Sequence, residues 1–296
     1  MSLALALPRA RARAIDLVSL AKPRLLVMVL ATTLAGYYLA SPGTAAAAVA
    51  AHTLAGMALA AGGALALNQY LEREVDARMQ RTRLRALPGG RLQPAEALAF
   101  GSALSIAGIL YLTVAVNGAC AAVTAVSSFG YLFVYTPLKL RSPLCSLVGA
   151  VPGALPPVAG WAAAHGTLDL GAWVLFAILF LWQMPHSLAI ARLYRDDYAR
   201  AGVRVLPVVD PDGSSTERQI LGHSLALVAV GLLPTLIGLA GEVYFVAALV
   251  LGLVQLGYGI RMAVARREAD ARRLLLATLV YLPALLAVMT LDRVGM

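Results

Sequence analysis

Nine long apolar runs separated by short polar segments organise this chain, at roughly 22–41, 46–67, 95–115, 118–136, 143–164, 170–190, 218–239, 243–261 and 273–291. Each is near the ~20 residues a helix needs to cross the hydrocarbon core of a bilayer. The alanine-rich run at 45–67 is weakly hydrophobic, but its Gly56, Gly62 and Gly63 allow helices to approach closely. The pattern predicts an all-α polytopic membrane protein. About nine transmembrane helices would surround a central cavity, as one domain over 1–296.

Composition narrows the class. Hydrophobic residues make up 60% of the chain and charged ones 13%, too little polar surface for a soluble domain of this length. The basic residues fall in alternate loops. Arg9, Arg11, Arg13, Lys22 and Arg24 precede or open the first run. Further basic clusters follow the second, fourth, sixth and eighth runs, and Arg293 alone is left for the far side. By the positive-inside rule, this predicts a cytoplasmic (or matrix-side) N-terminus and a C-terminus on the opposite face. The formal charge of +9 thus serves orientation and anionic ligands, and does not indicate nucleic-acid binding.

Cys120 and Cys145 sit in apolar surroundings without metal-ligand spacing and read as buried inert thiols. The arginines at 9–13 follow a short apolar start instead of preceding it, so the N-terminus does not read as a signal peptide. His52, His165 and His223 lack suggestive neighbours and read as structural.

Candidate chemistry concentrates in two polar segments, about 68–93 and 191–217. The first contains NQYLEREVDARMQRTRLR, in which Asn68, Glu72 and Asp76 recur every four residues. On a helix, that spacing stacks them on one face, about 6 Å apart along the axis. Three oxygen-bearing side chains in a row suit a hard cation such as Mg2+, which binds through a few carboxylates plus substrate phosphates. Arg78, Arg81, Arg83 and Arg85 follow, and guanidinium groups match phosphate geometry. A charged loop between membrane helices ordinarily solvates a turn. The regular spacing of the acids beside arginines points instead to a diphosphate held by metal and arginine.

The second segment follows the sixth run and holds Arg192, Tyr194, Arg195, Asp196, Asp197 and Tyr198. It lies four spans after the first, on the same predicted side, which suggests two related four-helix halves facing one cavity. His186 lies 11 residues before Asp197, close to three helical turns and about 16 Å deeper. Pro185 beside it frees a backbone carbonyl. A membrane histidine is often hydrogen-bonded to a neighbouring helix, but an intramembrane ionisable group is also a functional candidate.

Taken together, these motifs resemble the protohaem IX farnesyltransferases, or haem o synthases, a branch of the UbiA-type intramembrane prenyltransferases. Asn68, Glu72, Asp76, Met79, Arg81, Thr82, Arg85, Leu87 and Pro88 match the first family motif. LAKPRLL at 20–26, YTPLKLRSP at 135–143, GALPPVAGWAA at 153–163, WQMPH and YRDDYARAG with LPVV resemble further family segments, in order. Glu72 stands where the family usually has Asp. Leu84 and Ala86 replace Asn and Pro, Ser187 replaces Phe, and Arg204 and Val205 replace Pro-Met. None of these removes a proposed ligand, although Ser187 bears on the shape of the acceptor pocket.

The resemblance implies an enzyme of the bacterial inner membrane that joins farnesyl diphosphate to a vinyl group of protohaem IX, with water added, giving haem o and diphosphate. It implies Mg2+ on Asn68, Glu72 and Asp76, with Asp196 or Asp197 opposite, and a diphosphate clamp of Arg81, Arg85, Lys139 and Arg141. It implies a role for His186 on the haem side, where haem is substrate and not cofactor. Membrane lipid and haem a synthase, which oxidises haem o onward, are the implied partners. Two other readings compete: a related prenyltransferase acting on a hydroxybenzoate or quinone precursor, and a non-enzymatic membrane haem carrier. Regularly spaced acids beside arginines have no purpose in a carrier.

Overall fold

The computed structural model describes residues 3–41 and 46–294; the side chains of residues 1–10, that of Arg9 among them, lie outside the described residues. Nine helices among the described residues are long and apolar enough to span a membrane. They are Pro23–Ala40, Ala47–Leu71, Pro94–Ala115, Gly118–Leu138, Cys145–His165, Leu170–Leu193, Ser214–Leu236, Glu242–Ala265 and Glu268–Leu291, numbered below as spans 1 to 9. Sequential spans pack as neighbours, and span 9 returns to touch span 1, which closes a ring. Spans 1 and 5 also pack tightly, as do spans 6 and 9.

Close approach explains the small residues. A Cβ on Gly36 would stand 2.0 Å from the Pro157 carbonyl oxygen, so spans 1 and 5 meet backbone to backbone there. Gly63 does the same between spans 2 and 3, where a Cβ would lie 2.4 Å from the Ser105 amide nitrogen. Without water inside a bilayer, such contact and interhelical hydrogen bonds hold helices together.

Prolines in span 5 would leave carbonyls unpaired in the hydrocarbon region. Pro156 cannot donate to the Pro152 oxygen, and the Ser127 hydroxyl of span 4 donates to it instead, at 2.8 Å. Span 4 itself changes pitch: Gly130–Tyr135 is a π-helical turn before the helix resumes at Thr136. Such turns carry an extra residue and are frequent at functional sites. No motif in the sequence signals it.

A helix over Leu3–Leu20 precedes span 1 and was not expected from the apolar pattern. Its polar face is tied down by Asp16, which accepts from Arg91 at 3.0 Å, and by an Arg13–Glu96 ion pair. Its end buries Leu20 with Ala66, Ala86, Leu87, Leu92 and Ala97, so it supports the loop after span 2 from below.

Candidate active site

Span 2 ends at Leu71, and a short helix over Arg73–Arg78 follows. Glu72 sits at the junction, with φ −94° and ψ 6°. The Glu72 amide still donates to Asn68 at 2.9 Å, and the Asp76 amide to Glu72 at 2.8 Å. Helical hydrogen bonding therefore survives the junction, and the three residues follow one another in successive turns as their spacing predicts.

Each of the three faces a cation. Lys22 Nζ donates to Asn68 Oδ1 at 2.9 Å, Lys139 Nζ to Glu72 Oε1 at 2.6 Å, and Arg85 Nη1 to Asp76 Oδ2 at 2.7 Å. Asn68 is fully buried and Asp76 nearly so. The Asn68 amide donates in turn to Thr136 Oγ1 at 3.1 Å, and Thr136 donates to the Tyr131 carbonyl within the π turn. The irregular turn thus ties the end of span 4 to the acid stripe. Arg81 stacks over Tyr194 at 4.7 Å and Tyr198 at 5.7 Å, joining the first polar segment to the second.

Lys22 and Thr136 lie within segments the sequence marks as family-like, yet neither is a charged-motif residue, and only the fold reveals their contacts. Lys22 takes a left-handed conformation, φ 48° and ψ 66°, which costs a non-glycine residue energy and turns its side chain towards span 2. Burial lowers its ammonium pKa to about 8, helped by the neighbouring charges of Lys139 and Arg85 and opposed by Glu72 and Asp76. Five charged groups therefore share one electrostatic site.

A cavity of about 300 Å³ opens beside this cluster. Glu72, Thr136 and Lys139 line it together with Leu71, Val75, Leu132, Phe133, Pro137 and Leu140. Its walls are greasy and its charged groups few, the form expected for an amphiphile with an anionic head.

Asp196 and Asp197 behave differently from each other. Asp197 is buried and accepts from the backbone amides of Gln80 at 3.1 Å and Arg81 at 3.2 Å, and it pairs with Arg200. Burial alone would raise its pKa, but these amides and the Arg200 guanidinium hold the carboxyl below its usual range. Asp196 is exposed. Under the two loops, Met79 packs with Cys145, Ala191, Ala201, Val203 and Val205. The two polar segments thus dock on one another, as their same-side placement predicts.

Among the described residues, no three His, Cys, Asp or Glu side chains gather into a metal-holding group. The physical reason is local pairing, since Glu72 and Asp76 each hold a cation and Asp197 holds two amides. Arg141, expected in the clamp, is exposed and makes no side-chain hydrogen bond or ion pair among the described residues. Lys22 instead stands beside Asn68 within the cluster.

His186 lies within span 6. Its Nδ1 is 2.9 Å from Thr278 Oγ1 on span 9, and its ring stacks on Trp182 at 4.8 Å. Thr278 carries no sequence signal, being one hydroxyl in an apolar run. Each of the other histidines has a partner of its own: Tyr111 for His52, Thr167 for His165 and the Gln219 carbonyl for His223. Both cysteines are free and buried.

Known proteins give this arrangement its context. The UbiA prenyltransferase family matches residues 29–282. Proteins described as protoheme IX farnesyltransferase are similar along nearly their whole length. That of Solibacter usitatus is 47% identical over 290 residues, covering 95% of this chain and 99% of its own. That of Myxococcus xanthus is 44% identical over 281 residues, covering 94% and 95%. Among solved structures, a digeranylgeranylglyceryl phosphate synthase superposes with TM-score 0.80 at 13% identity, covering 95% of this chain and 98% of that one. A UbiA homolog from Archaeoglobus fulgidus, bound to GPP and Mg2+, superposes with TM-score 0.66 at 14% identity, covering 93% and 99%. At those identities the structures attest the fold, while the sequence relatives attest the family. This chain belongs to the UbiA prenyltransferase family, in its protohaem IX farnesyltransferase branch.

Proposed function

We propose that this protein transfers a farnesyl group from farnesyl diphosphate to a vinyl group of protohaem IX, with addition of water, to give haem o and diphosphate. The observation that carries this reading is the apolar cavity whose charged end is formed by Glu72 and Lys139 and adjoins Lys22, Asp76 and Arg85. An allylic diphosphate has the same division, an anionic head and a hydrocarbon tail. The acceptor follows from the relatives, which are described as protoheme IX farnesyltransferases.

In this reading Lys22, Lys139 and Arg85 hold the diphosphate, with Arg81 at the rim. Asn68, Glu72 and Asp76 fit a hard divalent cation, because they carry oxygen donors in successive turns at the charged end of the cavity. Asp196 is the second segment's candidate for the same ion, while Asp197 is committed to the loop amides. Mg2+ supplies charge neutralisation on the leaving group. The UbiA homolog solved with GPP and Mg2+ supports that choice.

The chain's own cations act as the allylic C–O bond breaks, since they stabilise charge developing on the diphosphate oxygens. The apolar walls keep water from the farnesyl cation. The haem vinyl then attacks that cation, the new cation on the haem side takes up water, and one proton leaves. His186 belongs to the haem side. The distribution of arginines supports both polar segments facing the cytoplasm, and the bacterial relatives support an inner-membrane location.

Acceptor profiling tests the reading. Purified protein given farnesyl diphosphate and Mg2+ should release diphosphate in proportion to haem consumed, and not to added hydroxybenzoate. Diphosphate release driven by hydroxybenzoate instead would assign a different acceptor. No release with any acceptor would contradict the prenyl-transfer reading.

A further inference from the structure

The hydrogen bonds around His186 fix which of its nitrogens carries the proton. Thr278 is fully buried, and its hydroxyl has one hydrogen to give. Thr278 Oγ1 lies 2.7 Å from the Leu275 carbonyl oxygen. Two lone-pair-bearing oxygens at that separation repel unless a hydrogen lies between them. The hydroxyl hydrogen therefore points at Leu275, and Thr278 Oγ1 can only accept from His186 Nδ1, 2.9 Å away.

The ring is fixed in plane as well as in tautomer. Trp182 stacks on it at 4.8 Å with 19° between planes. The Trp182 indole N–H donates to the Thr278 carbonyl at 2.8 Å, so spans 6 and 9 are joined twice through Thr278 beside the imidazole. His186 Nε2 has no hydrogen-bond partner among the described residues, and the residue is half-buried. A neutral imidazole with its hydrogen on Nδ1 has its lone pair on Nε2.

We propose that Thr278 is a positioning residue that holds His186 as the Nδ1–H tautomer, so that Nε2 presents its lone pair to the iron of haem. This rests on the reading of haem as the acceptor and deepens it. A neutral imidazole nitrogen is a common axial ligand for haem iron, and the group that holds the other nitrogen sets its tautomer and orientation. In this tautomer, Nε2 accepts and does not donate a proton.

The test uses the full chain in detergent, with histidine labelled with nitrogen-15. There are four histidines, and His186→Ala identifies the signal of interest. Without haem, the wild-type spectrum should show a protonated Nδ1 and an unprotonated Nε2. Thr278→Val should move the signal towards the opposite tautomer, and Thr278→Ser should restore it. Ferric haem is then titrated and followed by optical absorption and electron paramagnetic resonance. Thr278→Val should bind haem about 10- to 100-fold more weakly. His186→Ala should lose the axial-imidazole signature, while farnesyl diphosphate binding by calorimetry stays unchanged in every variant.

A wild-type spectrum with the hydrogen on Nε2 overturns the proposal by itself, even where the valine variant does not fold. Wild-type tautomer and haem affinity in a folded Thr278→Val also overturn it, and leave His186 as a ligand. An unchanged signature in His186→Ala removes His186 from the iron, and the proposal with it. Wild-type protein that binds no haem contradicts the acceptor reading itself.

Discussion

Replacing Asp197 separates two roles that an acid beside the proposed diphosphate site could play. Its carboxylate takes the Gln80 and Arg81 amides at 3.1 and 3.2 Å and is only 9% exposed. Hydrogen bonds to a charged group contribute about 1.5–3 kcal/mol each. The half-exposed Arg200 adds at most about 1 kcal/mol, because solvent screens it. In Asp197→Ala both amides lose their acceptor, but they lie near water and recover part of the loss, so the loop should loosen by about 3 kcal/mol. Asp197→Asn keeps one acceptor and should lose about 2 kcal/mol. Since about 1.4 kcal/mol is a factor of ten, amide exchange at Gln80 and Arg81 should quicken about a hundredfold in the alanine variant. Turnover should fall because Arg81 is released from Tyr194 and Tyr198, and excess Mg2+ should not restore it. Protected amides in Asp197→Asn, with activity recovered by Mg2+, would refute this and make Asp197 a metal ligand.

Three other outcomes follow from the same geometry. Lys22 has a pKa of about 8, so kcat/KM for farnesyl diphosphate should fall about tenfold per pH unit above it, and Lys22→Met should lack that limb. Its folded value lies below the unfolded one, so its charged form costs stability below about pH 8 and the cost fades as pH rises. An alkaline limb unchanged in Lys22→Met would remove Lys22 from the diphosphate site. Asp76→Asn should lower Mg2+-dependent turnover by about 10²-fold or more while haem titrates normally; normal turnover at limiting Mg2+ would exclude Asp76 from the metal. Gly36→Val places a Cβ 2.0 Å from the Pro157 oxygen and should cost about 1–3 kcal/mol, seen as a lower Tm in detergent. An unchanged Tm would show that spans 1 and 5 can separate freely.

The helical frame is legible in the sequence because a bilayer demands continuous apolar length. Expected boundaries such as 118–136 and 170–190 differ from Gly118–Leu138 and Leu170–Leu193 only at their polar ends, where helices continue past the hydrocarbon. The acid stripe is legible too, since its four-residue spacing survives the junction at Glu72. What the spacing does not convey is the partner of each acid. Lys22, Lys139 and Arg85 arrive from three different parts of the chain, and Asp197 is claimed by backbone amides over a hundred positions away, which have no residue-type signal. The π turn and Thr278 escape for a related reason: a change of helical pitch and one hydroxyl in an apolar run look like ordinary membrane sequence. The Leu3–Leu20 helix was missed because its arginines interrupt the apolar pattern, whereas in the fold Arg13 pairs with Glu96 outside the helix and Arg11 faces solvent.

The most direct measurement is the mass of the haem recovered from membranes containing this protein after incubation with protohaem IX, farnesyl diphosphate and Mg2+. A new haem heavier by one farnesyl group plus one water is the predicted result. Haem of unchanged mass, from folded protein that binds both substrates, would contradict the account.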